Sequence, residues 1–237
     1  MRSLTVFNNV TLDGYFTGVH GDFSWAHDPA IVKPDAEFDA FVAGNATGGG
    51  ELLFGRITYE MMAGYWPSPM ARDNDPVVAE RMNALPKVVF SRTLAKASWN
   101  NTQLVKGDLL AAVRKMKAEP GDGMVVLGSG SIVAQLAAAG LVDEYQLVVL
   151  PVVLGSGRTM FDGVPGPLGL ELKGSRAFPG GKVLLTYGPT PGGRSAGATS
   201  NLAAVLLECP TGPNSPAACL PDDRGARQFY GDCRESR

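Results

Sequence analysis

The sequence contains 237 residues, of which 45% are hydrophobic, and this is enough for one large domain with a substantial core. The 21 basic residues nearly balance the 23 acidic ones, so the chain lacks the basic surface that attracts nucleic acid or an anionic membrane. No apolar run approaches the roughly 18 residues that a membrane span needs, and the first residues do not read as a secretory signal. These observations predict a cytoplasmic protein that binds neither nucleic acid nor membranes.

Cysteine and histidine are too few and too scattered for a metal site. The three cysteines all lie in the last part of the chain, at Cys209, Cys219 and Cys233, far in sequence from His20 and His27. Zinc needs about four such ligands close together. An odd number of cysteines in a reducing compartment indicates free thiols. We therefore expect neither a bound metal nor a disulfide framework.

Strands and helices are predicted to alternate along most of the chain. Short apolar runs bounded by turn residues indicate strands at residues 3–10, 51–54, 87–90, 124–127 and 145–153. Apolar side chains at helical spacing indicate helices at residues 35–45, 58–64, 77–85, 107–118 and 132–139. This alternation predicts an α/β fold with a mostly parallel central sheet and helices on both faces.

The pattern changes in the C-terminal part. After Pro151, runs at 154–158, 170–173 and 182–187 are separated by Gly and Pro and predict antiparallel hairpin strands. From about residue 188 onward Pro, Gly, Ser, Ala and Asn dominate, and periodicity is lost apart from residues 202–207. We therefore predict a folded domain over residues 1–188 and a disordered C-terminal extension over residues 189–237.

Three predicted strand ends carry residues suited to phosphate. Glycine at a strand-to-helix turn lets a pyrophosphate approach the backbone, and the helix N-terminus favours negative charge. Arginine grips phosphate in a fork, and arginine beside a hydroxyl suits a 2'-phosphate. The residues of these three segments are Gly55, Arg56, Thr58, Ser91, Arg92, Gly128, Ser129, Gly130, Ser131 and Ile132. Because the segments are almost evenly spaced and end parallel strands, we expect them to share one edge and to bind NADPH.

Each segment also has a simpler explanation, as a tight turn or an exposed arginine. Arg56 in the first turn of a helix opposes the helix dipole and is unfavourable unless an anion is present. A Rossmann site is excluded, because Val133 occupies the position of its third small residue. In addition, Asp143 and Glu144 begin a predicted strand, whereas the ribose-binding acid of a Rossmann site ends one. The pattern therefore predicts a different nucleotide-binding fold.

The substrate candidates come from the same predicted edge. Asp13, after the first strand, is the first candidate for a catalytic carboxylate that orients the substrate; its alternative is an Asp-Gly turn. Trp25, Tyr59 and Trp66 offer aromatic surface for stacking a flat ring. His27 titrates in a useful pH range, but without an obvious orienting carboxylate it reads better as a surface histidine.

Several motifs in order also resemble a known family. The motifs lie at Asn9–Gly14, Phe54–Met62, Ser91–Leu94, Gly128–Ser131 and Gly140–Gly157. Together they resemble the dihydrofolate reductase-like proteins that include the reductase domain of the riboflavin biosynthesis deaminase-reductase. The resemblance covers residues 2–188. It implies an α/β sheet with NADPH across its strand ends, held by the three segments described above, and a homodimer.

Two departures from that family's pattern bear on the substrate. The pathway reductase usually has a glutamate immediately before its paired glycines, where this chain has Leu127, and Tyr15 replaces the lysine that often follows Asp-Gly. The zinc deaminase signature is absent from the sequence. The chain therefore resembles a stand-alone relative with an altered pocket.

The sequence predicts an NADPH-dependent reductase of a small heterocyclic or carbonyl substrate. Three alternatives stay open. One is the reduction of 5-amino-6-(5-phosphoribosylamino)uracil in riboflavin biosynthesis. Another is dihydrofolate reduction, in which Asp35, Glu37 or Asp39 would supply the carboxylate that such enzymes carry on the helix after the first loop. The last is a protein that binds NADPH without efficient catalysis.

Overall fold

The structure, a computed structural model, describes residues 1–190. Its strands are β1 (Leu4–Thr11), β2 (Tyr15–Thr17), β3 (Glu51–Gly55), β4 (Lys87–Phe90), β5 (Thr102–Val105), β6 (Met124–Leu127), β7 (Glu144–Leu150), β8 (Arg158–Thr159), β9 (Leu170–Ala177) and β10 (Val183–Pro189). Its α-helices are α1 (Ala36–Thr47), α2 (Arg56–Tyr65), α3 (Pro69–Asn74), α4 (Pro76–Ala84), α5 (Leu109–Ala118) and α6 (Gly130–Ala138). A short 3-10 helix spans Ser24–Ala26.

Eight of the strands form one sheet in the order β5-β4-β3-β6-β1-β7-β10-β9. The pairings from β5 through to β7 are all parallel, whereas β10 runs antiparallel to both β7 and β9. The two short strands β2 and β8 pair in a separate ribbon. The predicted α/β class is thus confirmed, with its mostly parallel sheet and its C-terminal antiparallel strands.

Apolar residues cover both faces of the sheet. On β3, Leu53 packs into a cluster with residues of α5 and α6, whereas Leu52 and Phe54 pack on the opposite face with residues of α2 and α4. Successive side chains of a strand point to opposite faces, so a strand buried on both sides reads as a continuous apolar run. This explains why β3, β4 and β6 were recognisable in the sequence, and it confirms helices on both faces.

The Asp35 side chain fixes the start of α1 and its position beside the C-terminal strands. One carboxylate oxygen accepts hydrogen bonds from the backbone N–H groups of Glu37 and Phe38, both at 3.1 Å, which is the geometry of an N-cap. The other oxygen accepts from the N–H of Gly180, in the turn between β9 and β10, at 2.5 Å. Asp35 is buried, and its three hydrogen bonds join the start of α1 to the β9–β10 hairpin.

Several parts of the structure differ from the sequence expectations. Strand β5 and helix α3 were not predicted, and β7 ends at Leu150, whereas the predicted strand continued to residue 153. The glycine-rich segment 154–158 does not join the hairpin of β9 and β10. Instead, Arg158 and Thr159 pair with β2 beside the carboxyl ends of the central strands. Strand β10 ends at Pro189, and the predicted C-terminal extension lies otherwise outside the described residues.

Candidate functional site

One large cleft of about 2080 Å³ opens at the carboxyl ends of β3, β4 and β6. All ten residues of the three predicted phosphate-binding segments line this cleft. They converge because β3 pairs with β4 on one side and with β6 on the other, all in parallel, so the three strands end at the same edge. This is the edge at which open parallel sheets bind ligands.

The turn between β6 and α6 has an unusual backbone that side chains hold in place. Gly128 and Ser129 both have positive φ, at 60° and 59°. A non-glycine residue in this left-handed region costs roughly 1–2 kcal/mol. Ser129 Oγ accepts a hydrogen bond from Gly55 N at 2.8 Å and lies 3.0 Å from Thr58 Oγ1, which also accepts from Ser129 N at 3.1 Å. These bonds offset the strain and join two of the three segments directly.

The Asn8 side chain also holds the turn between β6 and α6 by a hydrogen bond. Its Oδ1 accepts a hydrogen bond from Gly128 N at 2.7 Å, and its side-chain amide donates to the sulfur of Met160 at 2.9 Å. Asn8 is buried, at 7% exposure, so each polar end of the amide needs the partner it has. The sequence analysis did not select this residue, and an asparagine inside an apolar strand is the signal that identifies it.

Two glycines of the turn are needed for close approach. A Cβ added to Gly128 would lie 2.9 Å from Thr58 Cγ2, and one added to Gly130 would lie 2.8 Å from Phe16 Cζ. The Thr58 and Phe16 side chains therefore lie directly against the turn, and only glycine fits at these two positions. At the start of α6, the N–H groups of Gly130 and Ser131 have no hydrogen-bond acceptor among the described residues, whereas that of Ile132 donates to the Ser129 carbonyl at 2.8 Å. The first N–H groups of a helix carry the positive end of its dipole. The turn is thus built to receive an anion close to the main chain.

Arg56 has a partner inside its own helix. Its guanidinium lies 2.9 Å from the carboxylate of Glu60, one turn further along α2. The Glu60 carboxylate therefore offsets part of the unfavourable interaction of Arg56 with the helix dipole when no anion is bound. Both side chains are exposed to a similar extent, so an incoming phosphate competes with Glu60 for the guanidinium.

The segment after β4 combines an ordered hydroxyl with an arginine that has no carboxylate partner in the described residues. Ser91 Oγ accepts hydrogen bonds from the N–H groups of Thr93 and Leu94, at 3.2 and 2.9 Å, and so closes the turn. Arg92 is exposed and lines the cleft. Of Ser91 and Arg92, the arginine is therefore the residue whose polar group can contact a ligand in the cleft.

Asp13 braces a turn. Its carboxylate accepts hydrogen bonds from the hydroxyl of Thr11 at 2.6 Å and from the N–H groups of Leu154 and Gly155, the last at 2.7 Å. The Thr11 hydroxyl and these backbone donors hold the pKa of Asp13 below its ordinary value, against a smaller opposing effect of burial. Asp13 links the end of β1 to the loop after β7. This geometry favours the Asp-Gly turn over a carboxylate that orients substrate.

The three predicted aromatic residues have different surroundings. Tyr59 is buried at 2% exposure, and its hydroxyl accepts hydrogen bonds from the N–H groups of Ser98 and Trp99 at 2.9 and 2.8 Å. It is a core residue, so the expectation that it stacks on substrate is not supported by its position. Trp66 does line the cleft, whereas the Trp25 ring is buried at 5% exposure behind lining residues of its own turn.

Away from the three turns, the cleft continues as an apolar groove between α1 and α2. Its floor is made of side chains from neighbouring parallel strands, with Phe7 beside Leu127 and Leu52 beside Val125 in register. The walls are also largely apolar and include Phe38, Val42, Met62, Trp66 and Val78. A flat organic molecule fits such a surface.

Several polar residues of the cleft were missed or undervalued by the sequence analysis. Arg158, Asn9 and Gln146 line it, and so does His27. His27 is exposed by surface area, yet it stands within the concave wall, so desolvation lowers its pKa while the charge of Asp75 opposes that shift. Asp75 was not found from the sequence because the fold brings it into the cleft from a distant part of the chain.

The carboxylates considered for folate reduction occupy three different environments. Asp35 caps α1, as described above. Glu37 forms an ion pair with Arg176 at 2.5 Å on the outside of the hairpin. Asp39 is exposed and lines the cleft. Asp39 is therefore the member of the three that is placed to meet a ligand.

Within residues 1–190, no helix is both long and apolar enough to cross a membrane. The same residues contain no cluster of three or more His, Cys, Asp or Glu side chains arranged to hold a metal ion.

Comparison with known proteins agrees with the fold and with the resemblance noted in the sequence. Residues 2–184 match the model of the RibD C-terminal domain. An uncharacterized protein of Bacillus subtilis, YyaP, is 31% identical over 178 residues, which is 75% of this chain and 90% of the relative. Because the domain model covers most of the chain, the sequence comparison shows the family.

Two solved structures share the architecture. A candidate riboflavin biosynthesis protein from Shewanella sp. PV-4 superposes with a TM-score of 0.61 at 22% identity, covering 80% of this chain and 99% of the other. A diaminohydroxyphosphoribosylaminopyrimidine deaminase/5-amino-6-(5-phosphoribosylamino)uracil reductase from Thermotoga maritima superposes with a TM-score of 0.55 at 15% identity, covering 79% of this chain and 56% of the other. The chain belongs to the RibD C-terminal domain family and has the dihydrofolate reductase-like fold.

Proposed function

We propose that this protein is an NADPH-dependent reductase of a small heterocyclic or carbonyl compound. The observation that carries the proposal is the convergence of Gly55–Thr58, Ser91–Arg92 and Gly128–Ile132 on one cleft at the ends of adjacent parallel strands. The match to the RibD C-terminal domain supports it, since one solved relative is named as a uracil reductase.

The residues of the cleft fit the cofactor. Gly128 lets the turn pack against Thr58, and the N–H groups of Gly130 and Ser131, which have no acceptor among the described residues, are available to a pyrophosphate at the start of α6. Arg56 lies beside the first of the three turns and Arg92 beside the second. Arg92 has no carboxylate partner among the described residues, and it follows Ser91, whose hydroxyl closes the turn. Such a guanidinium suits the 2'-phosphate that distinguishes NADPH from NADH.

The chemistry asks for alignment more than for a reactive side chain. NADPH, when bound, supplies a hydride from its nicotinamide ring to an electrophilic carbon. The protein's part is to hold the two reactants in contact and to exclude water. The rigid Gly128–Ser129 turn fixes one wall of the site, and the apolar groove floored by Phe7 and Leu127 excludes water from the other.

The experiment is a titration of the protein with NADPH and with NADH, using wild type and Arg92→Ala. We expect Arg92→Ala to weaken NADPH by about 1.5–3 kcal/mol, or roughly 10- to 150-fold, because it removes one charged hydrogen-bonding partner of a phosphate. NADH binding should not change. Arg114→Ala is the matched control, since Arg114 is an exposed arginine of α5 that does not line the cleft. Equal losses for both nucleotides would remove the role of Arg92, and no binding of either would refute the cofactor.

A second candidate reaction is the reduction of 5-amino-6-(5-phosphoribosylamino)uracil. The family match favours it, because the Thermotoga maritima relative is named for that reaction. Leu127 argues against it, since the residue lies in the apolar floor where the pathway reductase usually has a glutamate. Turnover of this compound at a rate comparable with that of other substrates would establish the pathway reaction. NADPH binding without oxidation across a broad panel of heterocycles and carbonyls would instead indicate a non-catalytic protein.

A further inference from the structure

The chain between β4 and β5 carries Arg92 and has no regular secondary structure. This β4–β5 segment comprises residues 91–101. Of the N–H groups of residues 92–100, four have an acceptor in the part of the chain that the structure describes, and each of these acceptors is a side-chain hydroxyl. A segment that lacks a backbone ladder takes its geometry from such side-chain bonds. Two hydroxyl oxygens therefore decide where this segment lies.

Only one of the two hydroxyls belongs to another element. Ser91 Oγ closes the turn at the start of its own segment, so its bonds shape the segment without attaching it to a neighbour. The other is Tyr59 Oη of α2, which accepts from the N–H of Ser98 at 2.9 Å and from that of Trp99 at 2.8 Å. Among the described residues, Tyr59 is thus the one side chain outside the segment that accepts from the N–H groups of residues 92–100.

The point of attachment is itself rigid. Tyr59 is buried, and its ring lies 6.2 Å from that of Trp99, centre to centre. The Trp99 indole N–H donates to Asn83 Oδ1 at 2.7 Å, and the Lys87 ammonium group lies 4.5 Å from the centre of the indole ring. The core therefore holds the Trp99 side chain, whereas the Tyr59 hydroxyl holds the main chain that leads to it from Arg92.

Tyr59 follows a residue that makes the corresponding link on the other side. Thr58 Oγ1 accepts from Ser129 N at 3.1 Å and lies 3.0 Å from Ser129 Oγ. Because an α-helix has 3.6 residues per turn, neighbouring side chains point about 100° apart and can reach different elements. The first turn of α2 is therefore joined to the β6–α6 turn through Thr58 and to the β4–β5 segment through Tyr59.

We propose that Tyr59 is a positioning residue, which fixes the β4–β5 segment against α2 and thereby holds the Arg92 guanidinium where it meets the 2'-phosphate of NADPH. Tyr59 does not line the cleft, so it acts through Arg92 and touches no ligand. Without the phenolic oxygen the segment takes up other positions, and only a fraction of the molecules present Arg92 correctly. The apparent affinity for NADPH falls in proportion to that fraction. This inference rests on the proposed function, since the 2'-phosphate belongs to its cofactor.

The test is Tyr59→Phe in the full chain, because this change keeps the ring and removes the acceptor. Calorimetric titration should show NADPH binding about 5–10-fold more weakly than to wild type, while NADH binding stays within about 2-fold. The melting temperature should fall by about 3–8 °C, because the enclosed N–H of Trp99 loses its acceptor. A loss of core stability alone would weaken both nucleotides alike, so the ratio of the two affinities reports the positioning role.

A double-mutant cycle with Arg92 tests whether Tyr59 acts through that residue. In protein that carries Arg92→Ala, the further change Tyr59→Phe should alter NADPH affinity by less than about 2-fold, because no guanidinium remains to be positioned. The loss of melting temperature should be the same in both backgrounds.

Two control variants match the substitution and the loss of stability separately. Tyr145→Phe makes the same change at a tyrosine of β7 that is 3% exposed and does not line the cleft, and it should leave both nucleotide affinities unchanged. Lys117→Met removes a buried ammonium group that donates to the Leu141 carbonyl at 2.8 Å, also away from the cleft. It should lower the melting temperature and keep the ratio of NADPH to NADH affinity.

A measurement on wild type keeps the inference open to refutation if Tyr59→Phe does not fold. Amide exchange followed by NMR should be about 10-fold or more slower at Ser98 and Trp99 than at Lys96 and Ala97, whose N–H groups have no acceptor in the described residues. NADPH should slow the exchange of Ser98 and Trp99 further, whereas NADH should not.

Four results would overturn the inference: an unchanged NADPH affinity in Tyr59→Phe, equal losses for NADPH and NADH, the same loss of NADPH affinity in the Arg92→Ala background, or fast exchange at Ser98 and Trp99 in wild type. Any of these, in protein whose preference for NADPH depends on Arg92, refutes the role of Tyr59 and leaves the proposed function intact. If wild type binds neither nucleotide, the proposed function is refuted and this inference falls with it.

Discussion

The two ends of the cleft are built on opposite principles. At the end that we propose binds the cofactor, the polar side chains that shape the turns are hydrogen-bonded to neighbouring turns and strands: Ser129 to Gly55 and Thr58, and Asn8 to Gly128. At the substrate end, enclosed polar atoms of Asn9 and Trp25 have no partner among the described residues. A completed network holds a cradle in one geometry before its ligand arrives, which lowers the cost of binding. Enclosed polar atoms without partners leave the other end without such a network.

Of these variants, Gly128→Ala should cause the largest losses of stability and of NADPH affinity. It places a Cβ 2.9 Å from Thr58 Cγ2 at a residue whose φ is 60°, so it adds overpacking to backbone strain at the cofactor end. We expect a loss of about 2–4 kcal/mol in the free energy of unfolding and at least a 10-fold loss in NADPH affinity. Urea denaturation and nucleotide titration measure the two effects.

Gly163→Ala is the control for that change. Gly163 also has a positive φ, of 88°, but no atom lies within 4 Å of its added Cβ, and the residue does not line the cleft. It should lose about 1–2 kcal/mol of stability from strain alone and keep its NADPH affinity. If Gly163→Ala weakens NADPH as much as Gly128→Ala does, the collision with Thr58 is not the cause.

Changes at Ser129 separate the hydrogen bonds of the turn from its strain. Ser129→Ala removes the bonds to Gly55 and Thr58 and keeps the left-handed backbone, whereas Ser129→Gly removes the same bonds and relieves the strain. We expect Ser129→Ala to be less stable than Ser129→Gly by about 1 kcal/mol. Thermal or urea unfolding of the two variants measures the difference. Equal stability would show that the left-handed conformation carries no strain here.

Glu60→Gln should have the smallest effect on stability, and it should raise the affinity for NADPH where the other variants lower it or leave it unchanged. The change removes the exposed ion pair with Arg56 and should lower stability by about 0.3–0.5 kcal/mol. It also frees Arg56 for a phosphate, so NADPH should bind about 2–5-fold more tightly at low salt. Titrations at two salt concentrations measure this gain. An unchanged NADPH affinity would place Arg56 outside the contacts of the cofactor.

The cofactor end could be predicted from the sequence because its signals are local. A buried strand that stops at Gly, Ser or Arg is visible in a few residues, and parallel topology then brings Gly55, Arg92 and Gly128 to one edge. The ion pair between Arg56 and Glu60 could also have been predicted, since Glu60 follows Arg56 at helical spacing. Strand β5 was not predicted because it has no fully buried residue and therefore no clear apolar pattern.

The substrate end could not be predicted in the same way, because its character depends on contacts distant in sequence. Asp13 looked free until Leu154 and Gly155 were placed against it. Tyr59 looked available for stacking, and only tertiary packing shows that its hydroxyl serves the segment at Ser98. Whether a buried indole such as Trp25 has a hydrogen-bond partner is likewise decided by the whole fold.

The account depends on the three turns binding one ligand together, and amide hydrogen exchange tests this most directly. The full chain is exchanged with and without saturating NADPH, and protection is followed at Gly55–Tyr59, Ser91–Leu94 and Gly128–Ile132. The account predicts that all three segments gain protection at the same NADPH concentration, while β9, none of whose residues lines the cleft, does not change. Protection of one segment without the others, or at a different concentration, would contradict it.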